Sequence, residues 1–152
     1  MATIRIEGLR ELEKNLERLT KAAGRGVLRR SLQKAAEPLA EKARALAPVG
    51  EGDLQDSIAV GSKLSKRQAR LHRKTVRDDQ ASVEMFVGAG PLPQAHLTEF
   101  GSIHGAPQAY MRPAWDADQR QLLDRLAKTL WVEVEKSISR AERKAARLAA
   151  KG

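Results

Sequence analysis

A chain of 152 residues without a cysteine suits one buried core rather than two, and it has no disulfide staple or thiolate metal site. Its 28 Lys and Arg against 19 Asp and Glu leave a formal charge of +9, which favours a polyanionic neighbour, whereas an aromatic share of 3% excludes the stacking platforms of a single-strand binder. The N-terminus has no basic region leading into an apolar run, and no stretch approaches a membrane span. The expectation is a soluble protein of a reducing compartment, without a membrane partner.

In chain order, "TIRIEG" alternates like a short strand, and from Gly8 the spacing of Leu9, Leu12, Leu16 and Leu19 predicts a helix to about Ala23. "GRG" at 24–26 is expected to break it. Leu28, Leu32, Ala35, Leu39, Ala43 and Leu46 then continue on one face of a second helix, bent by Pro38 and stopped by Pro48, so that the two form a hairpin. "SIAVGS" (57–62) and "SVEMFVG" (82–88) read as two strands of a small antiparallel sheet, joined by a long basic loop over 62–81. From Pro113, the positions Trp115, Leu122, Leu126, Leu130, Val134 and Ile138 predict a long amphipathic helix whose basic, Ala-rich end at 140–152 frays or projects. The predicted fold is a single α+β domain over 1–152, with the N-terminal helical hairpin and the long C-terminal helix packed on the small antiparallel sheet.

The segment "HLTEFGSIHGAPQAYMRPAWD" (96–116) stands apart from this pattern. His96, Glu99 and His104 have the residue types of metal ligands but match no zinc-hydrolase spacing, and no nucleophile elbow, phosphate-binding glycine loop or Ser/His/Asp order occurs. No catalytic residue, metal, cofactor or small-molecule substrate is expected. Glu99 and Arg112 flank the segment, as a bidentate ion pair pinning it or as two solvated charges. Phe100, Tyr110, Met111 and Trp115 offer the large, stiff apolar area found at interfaces, although for Phe100 and Trp115 the core is the preferred reading. Gly101 and Gly105 supply backbone freedom and Pro113 starts a helix, so 99–113 reads as a shaped loop for subunit docking. Its candidate contacts are Glu99, Phe100, Gly101, Tyr110, Met111, Arg112 and Pro113. A second candidate surface is the acid-free block of Lys63, Lys66, Arg67, Arg70, Arg73, Lys74 and Arg77, facing DNA, an acidic partner or only solvent.

Three stretches carry a family resemblance in a fixed order. "IRIEGLRELEKNL" (4–16) follows I-x-G-L-x-E-L-x-x-x-L. "ARALAPVGEGDLQDSI" (43–58) follows A-K-A-L-A-P-V-x-T-G-x-L-x-x-S-I. "AHLTEFGS" (95–102) with "AYMRPAWD" (109–116) follows A-H-L-x-E-F-G-T, a Pro-rich link and P-F-M-R-P-A-F/W-D. The set resembles the tail-completion or neck proteins of long-tailed bacteriophages, the "gene product ten"-like family of the HK-ninety-seven type. Glu51 stands where that family usually has Thr, Ser102 likewise, and Ala109 where it often has Pro. The resemblance implies a structural virion protein, not an enzyme, made in the bacterial host cytoplasm. It also implies a homo-oligomeric ring at the head–tail junction around the DNA channel, in contact with neighbouring neck and tail proteins. The competing reading is a small basic nucleic-acid-binding protein, whose main activity would be steeply salt-dependent DNA affinity.

Overall fold

The computed structural model of the chain describes residues 8–50, 52–76 and 83–152. The strand expected over "TIRIEG" apart from its Gly8, the departure at Glu51, the cation at Arg77 and the first residue of "SVEMFVG" lie outside the described residues.

Helix α1 (Leu9–Glu17) begins at Gly8, whose φ of 83° only glycine adopts readily and where a Cβ would come within 3.2 Å of the Trp131 indole. Helix α2 (Lys21–Leu46) begins earlier than the glycines suggested. Thr20 is extended and its hydroxyl accepts the Ala23 N–H at 3.3 Å, so the break falls at 18–20 and "GRG" lies inside the helix. Each glycine there costs about 1 kcal/mol relative to Ala. The cap and the complete burial of Val27 offset that cost. Pro38 lies inside α2 as expected, and three residues before it the Ala35 carbonyl accepts from Arg125, at 3.1 Å from Nε and 2.9 Å from Nη2. Pro38 leaves the Lys34 carbonyl without its helical donor, and the Arg125 guanidinium on the neighbouring Ala35 carbonyl ties this part of α2 to α6.

After the short α3 (Asp53–Ser57), strand β1 (Ala59–Gly61) pairs antiparallel with β2 (Phe86–Gly88), Val60 opposite Val87. Both strands are shorter than the β-branched runs suggested. The link between them is not simply a loop: α4 (Lys66–Thr75) forms within it, started by a capping box in which Ser65 and Gln68 exchange backbone and side-chain bonds. A further helix, α5 (Gln94–Phe100), occupies what the sequence suggested was loop. Finally α6 (Met111–Lys151) runs 41 residues, about 60 Å at 1.5 Å per residue. It stays helical through 140–151 with every residue there exposed, so the tail projects and does not fray.

The architecture is α+β: α2 packs along α6, and the two-stranded sheet lies against α2. Ala35, Ala36, Ala40 and Ala43 keep the buried face of α2 slim. One core cluster joins Leu39, Ala40 and Ala43 to Leu54, Ile58, Tyr110 and Ala114; a smaller one joins Leu12 of α1 to Val27 and Val134. Complete burial of a side chain such as Ile58 contributes roughly 1.5–3 kcal/mol.

Two buried carboxylates fix how α2 and α6 lie together. Asp118, fully buried, accepts from Lys42 Nζ at 2.6 Å and from Arg125 of its own helix. Glu133, 3% exposed, accepts from Lys34 Nζ at 2.7 Å and Arg30 Nε at 3.0 Å. Pairing 42 with 118 and 30 with 133 sets the helices antiparallel. The Arg125 and Lys42 bonds hold the Asp118 carboxyl below the usual range despite its burial, and Lys34 and Arg30 bring Glu133 down to about 2. Residues 21–34 form a second stretch with Lys and Arg and no Asp or Glu, and two of its cations, Arg30 and Lys34, are paired with Glu133 although their side chains reach solvent.

Candidate assembly surface

The loop between α5 and α6 is built around one carboxylate. Helix α6 has no side-chain cap of its own at Tyr110, which would leave its first amides unsatisfied. Glu99, from the last turn of α5, supplies the acceptors. Its Oε2 accepts the amides of Tyr110 at 2.8 Å and Met111 at 2.9 Å, and its Oε1 accepts that of Arg112 at 3.0 Å. Burial pushes this carboxyl up, but the three amides and the Arg112 charge together hold it below the usual range. Glu99 thus forms neither a side-chain pair with Arg112 nor a solvated charge, the two alternatives read from the sequence, but a bond to the Arg112 backbone. The guanidinium lies instead over the Phe100 ring, 5.9 Å from its centroid.

Gly101 ends α5 at φ 82°, ψ 174°, a region restricted to glycine, and a Cβ there would come within 3.0 Å of Pro107. Gly105 has no positive φ, so its expected special conformation is not used. Between these glycines the chain makes a tight turn. The amide of Ser102 donates to Gly105 O at 2.9 Å, the Ser102 hydroxyl accepts from His104 N–H at 3.1 Å, and the Gln108 amide donates to Thr98 O at 2.8 Å. The turn holds Ile103 out at 94% exposure.

The sequence-predicted contacts thus separate into two layers. Glu99 and Tyr110 are buried and support the loop from behind, the Tyr110 hydroxyl donating to Ala95 O at 3.4 Å. Gly101 and Met111 are half-buried, and Arg112 and Pro113 are exposed. Phe100 at 68% and Trp115 at 48% exposure are surface groups, correcting their assignment to the core. The geometry of two neighbouring helix ends, not side-chain size, decides which aromatic turns inward. His96 and His104 are exposed, while the Glu99 oxygens are occupied by amides.

Of the basic block, Lys66, Arg67, Arg70, Arg73 and Lys74 lie exposed on α4, and Lys63 is exposed just before it. The helix is tied down through His72, whose Nε2 is 2.9 Å from Glu84 Oε1 and whose ring meets Phe86 edge-on, centroids 5.3 Å apart. Lys66, Arg70, Arg73 and Lys74 recur at three- and four-residue spacing on the outer side, while Arg67 and Leu71 face α5. Between α4 and α5 opens a cleft of about 740 Å³, whose lining includes Arg67, Leu71, Leu92, Phe100, Met111 and Arg112. Sequence reading missed this cleft because it did not place helices on either side.

A protein-family model described as "Bacteriophage HK97-gp10, putative tail-component" matches residues 10–101, from α1 through α5. No curated protein and no solved structure matches the chain at a significant level. Among the described residues, no helix is long and apolar enough to cross a membrane.

Proposed function

The chain belongs to the HK97-gp10-like family and is a phage tail component, and from that premise we propose that it works as a single neck domain at the head–tail junction of a long-tailed phage or prophage. In this reading copies of the chain form a ring that completes the tail and joins it to the DNA-filled head. The observation that carries it is the α5–α6 loop, a hydrogen-bonded frame that holds Leu97, Phe100 and Ile103 at the surface. Apolar groups held rigidly in water suit contact with other protein surfaces. The same frame uses the buried Glu99 carboxylate as a helix cap, which supports a docking role for the segment. The outer stripe of α4 supports non-specific contact with DNA in the channel, since Lys and Arg at helical spacing neutralise phosphates without reading bases.

Deleting the gene from the phage and examining lysates by electron microscopy tests the reading. DNA-filled heads and tails should accumulate unjoined, and the protein supplied in trans should restore complete particles. Normal joined particles in the deletion would overturn it.

A further inference from the structure

Two neighbouring stretches of the sequence carry opposite charge. Residues 45–62 contain no Lys or Arg and carry Glu51, Asp53 and Asp56, whereas residues 63–77 contain no Asp or Glu and carry 7 Lys and Arg. Both stretches also expose apolar groups. On the acidic side Leu46 is 50% and Val49 81% exposed; on the basic side Leu71 is 51% exposed at the mouth of the α4–α5 cleft.

The two surfaces lie on opposite sides of one short helix. Gln94, Leu97 and Thr98 of α5 face the acidic edge, lining a shallow depression with Pro48, Gly50 and Asp53. Ala95, His96 and Phe100 of the same helix face the basic cleft. Among the described residues the only carboxylate lining that cleft is Glu99, whose oxygens are held by three amides, while Arg67 and Arg112 stand at its walls. The cleft is thus an apolar floor between cations, and the other edge sets the exposed Leu46 and Val49 beside the exposed Asp53 and Asp56. With α5 between them, the two cannot meet within one copy.

We infer that the edge carrying Leu46, Val49, Asp53 and Asp56 of one copy docks in the α4–α5 cleft of the next, Leu46 and Val49 against the Leu71 and Phe100 side, Asp53 and Asp56 toward Arg67 and Arg112. The occupant is a second copy of this chain, chosen by charge complementarity and by matching apolar groups. Because two different patches meet, the contact is head-to-tail and repeats from copy to copy, closing into a ring when the rotation permits. The inference rests on the ring reading above and gives it its two faces. It leaves the outer cations of α4 free for the channel.

The absence of cysteine makes the test direct. Single variants Val49→Cys and Leu71→Cys, the double variant, and a second pair, Asp56→Cys with Arg67→Cys, are incorporated into phage particles and mildly oxidised. All four positions are exposed, and circular dichroism of the purified variants checks that they fold. Each double variant should give a ladder of covalent multimers on a non-reducing gel, each single variant none, and adding Asp53→Lys to the first pair should thin the ladder. No ladder from either pair in particles that hold several copies would overturn the inference and leave the ring standing. A dimer from Val49→Cys alone would show that the edge pairs with itself, and a cross-link from Leu71→Cys to a different virion protein would give the cleft to another occupant; both overturn it. Particles holding one copy each would end both the inference and the ring.

Discussion

Glu99 caps a helix to which it does not belong: its carboxylate accepts the Tyr110 amide at 2.8 Å and, through the same oxygen, the Met111 amide at 2.9 Å. The negative charge sits at the positive end of α6, and the turn at 101–109 is closed between the two helix ends. Glu99→Ala should therefore destabilise the fold by about 1–3 kcal/mol, the cost of leaving buried donors unpaired. Glu99→Gln should be intermediate, because an amide offers one acceptor in place of two. Arg112→Ala should leave stability nearly unchanged, since the bond from Arg112 is made by its backbone. Urea denaturation of the three variants checks this order; equal loss in Glu99→Ala and Arg112→Ala would refute it.

Gly101 makes a second, independent demand on the same loop. At φ 82° with Pro107 atoms 3.0 Å from where a Cβ would sit, Gly101→Ala meets both backbone strain and a clash. A loss of about 1–3 kcal/mol is expected. Gly105→Ala, with open space around the position, should cost little. Thermal melts of the pair separate the two, and similar losses at both would contradict the account.

Much of the helical architecture was legible from spacing, because the apolar period of α2 and α6 follows from burying one face of each against the other. The pairing of those faces was harder to read. Asp118 lies four residues before Leu122 and Glu133 three after Leu130, so both carboxylates sit on the apolar stripe of α6, a position that demands a cation from the partner helix. That signal is present in the sequence, but apolar spacing alone does not say which cations of α2, here Arg30, Lys34 and Lys42, answer it. In the candidate site, sequence reading found the loop and its end residues, yet it could not tell Tyr110, buried, from Phe100, exposed. That difference depends on how α5 meets α6. The capping of α4 by Ser65 and Gln68 was also readable as an S-x-x-Q box, and the basic composition around it obscured it.

The two buried carboxylates give the stability a definite pH dependence. The Glu133 carboxyl is lowered to about 2 in the folded protein and the Asp118 carboxyl is also lowered, so the unfolded chain takes up protons first as pH falls. Their contribution is complete above about pH 4.5, the ordinary glutamate range, and is lost as pH falls toward about 2. Unfolding free energy measured in urea between pH 7 and pH 2 should decline in that window, and Glu133→Gln should flatten the decline. Asp118→Ala removes the buried acceptor shared by Lys42 and Arg125, both of which reach solvent, and should cost about 1–3 kcal/mol at neutral pH. A Glu133→Gln profile parallel to that of the unaltered protein would contradict the assignment.

The outer stripe of α4 makes a quantitative claim about DNA. Four cations, Lys66, Arg70, Arg73 and Lys74, each meeting one phosphate would give a log–log salt slope of about −3.6, at about −0.9 per phosphate. Filter binding to duplexes of unrelated sequence should show a slope no steeper than that from this helix, with no sequence preference. Replacing the four with Ser should remove the binding and leave the melting temperature almost unchanged. Unaltered DNA retention in that variant would make the stripe a solvated surface only.

The central claim is that this tail component occupies the junction between head and tail as a ring, and the most direct measurement is cryo-electron microscopy of intact particles decorated with a Fab raised against the chain. The account predicts Fab density arranged symmetrically around the axis at the junction, in several copies per particle. Density along the tail tube, at the distal tip or in one copy would contradict it.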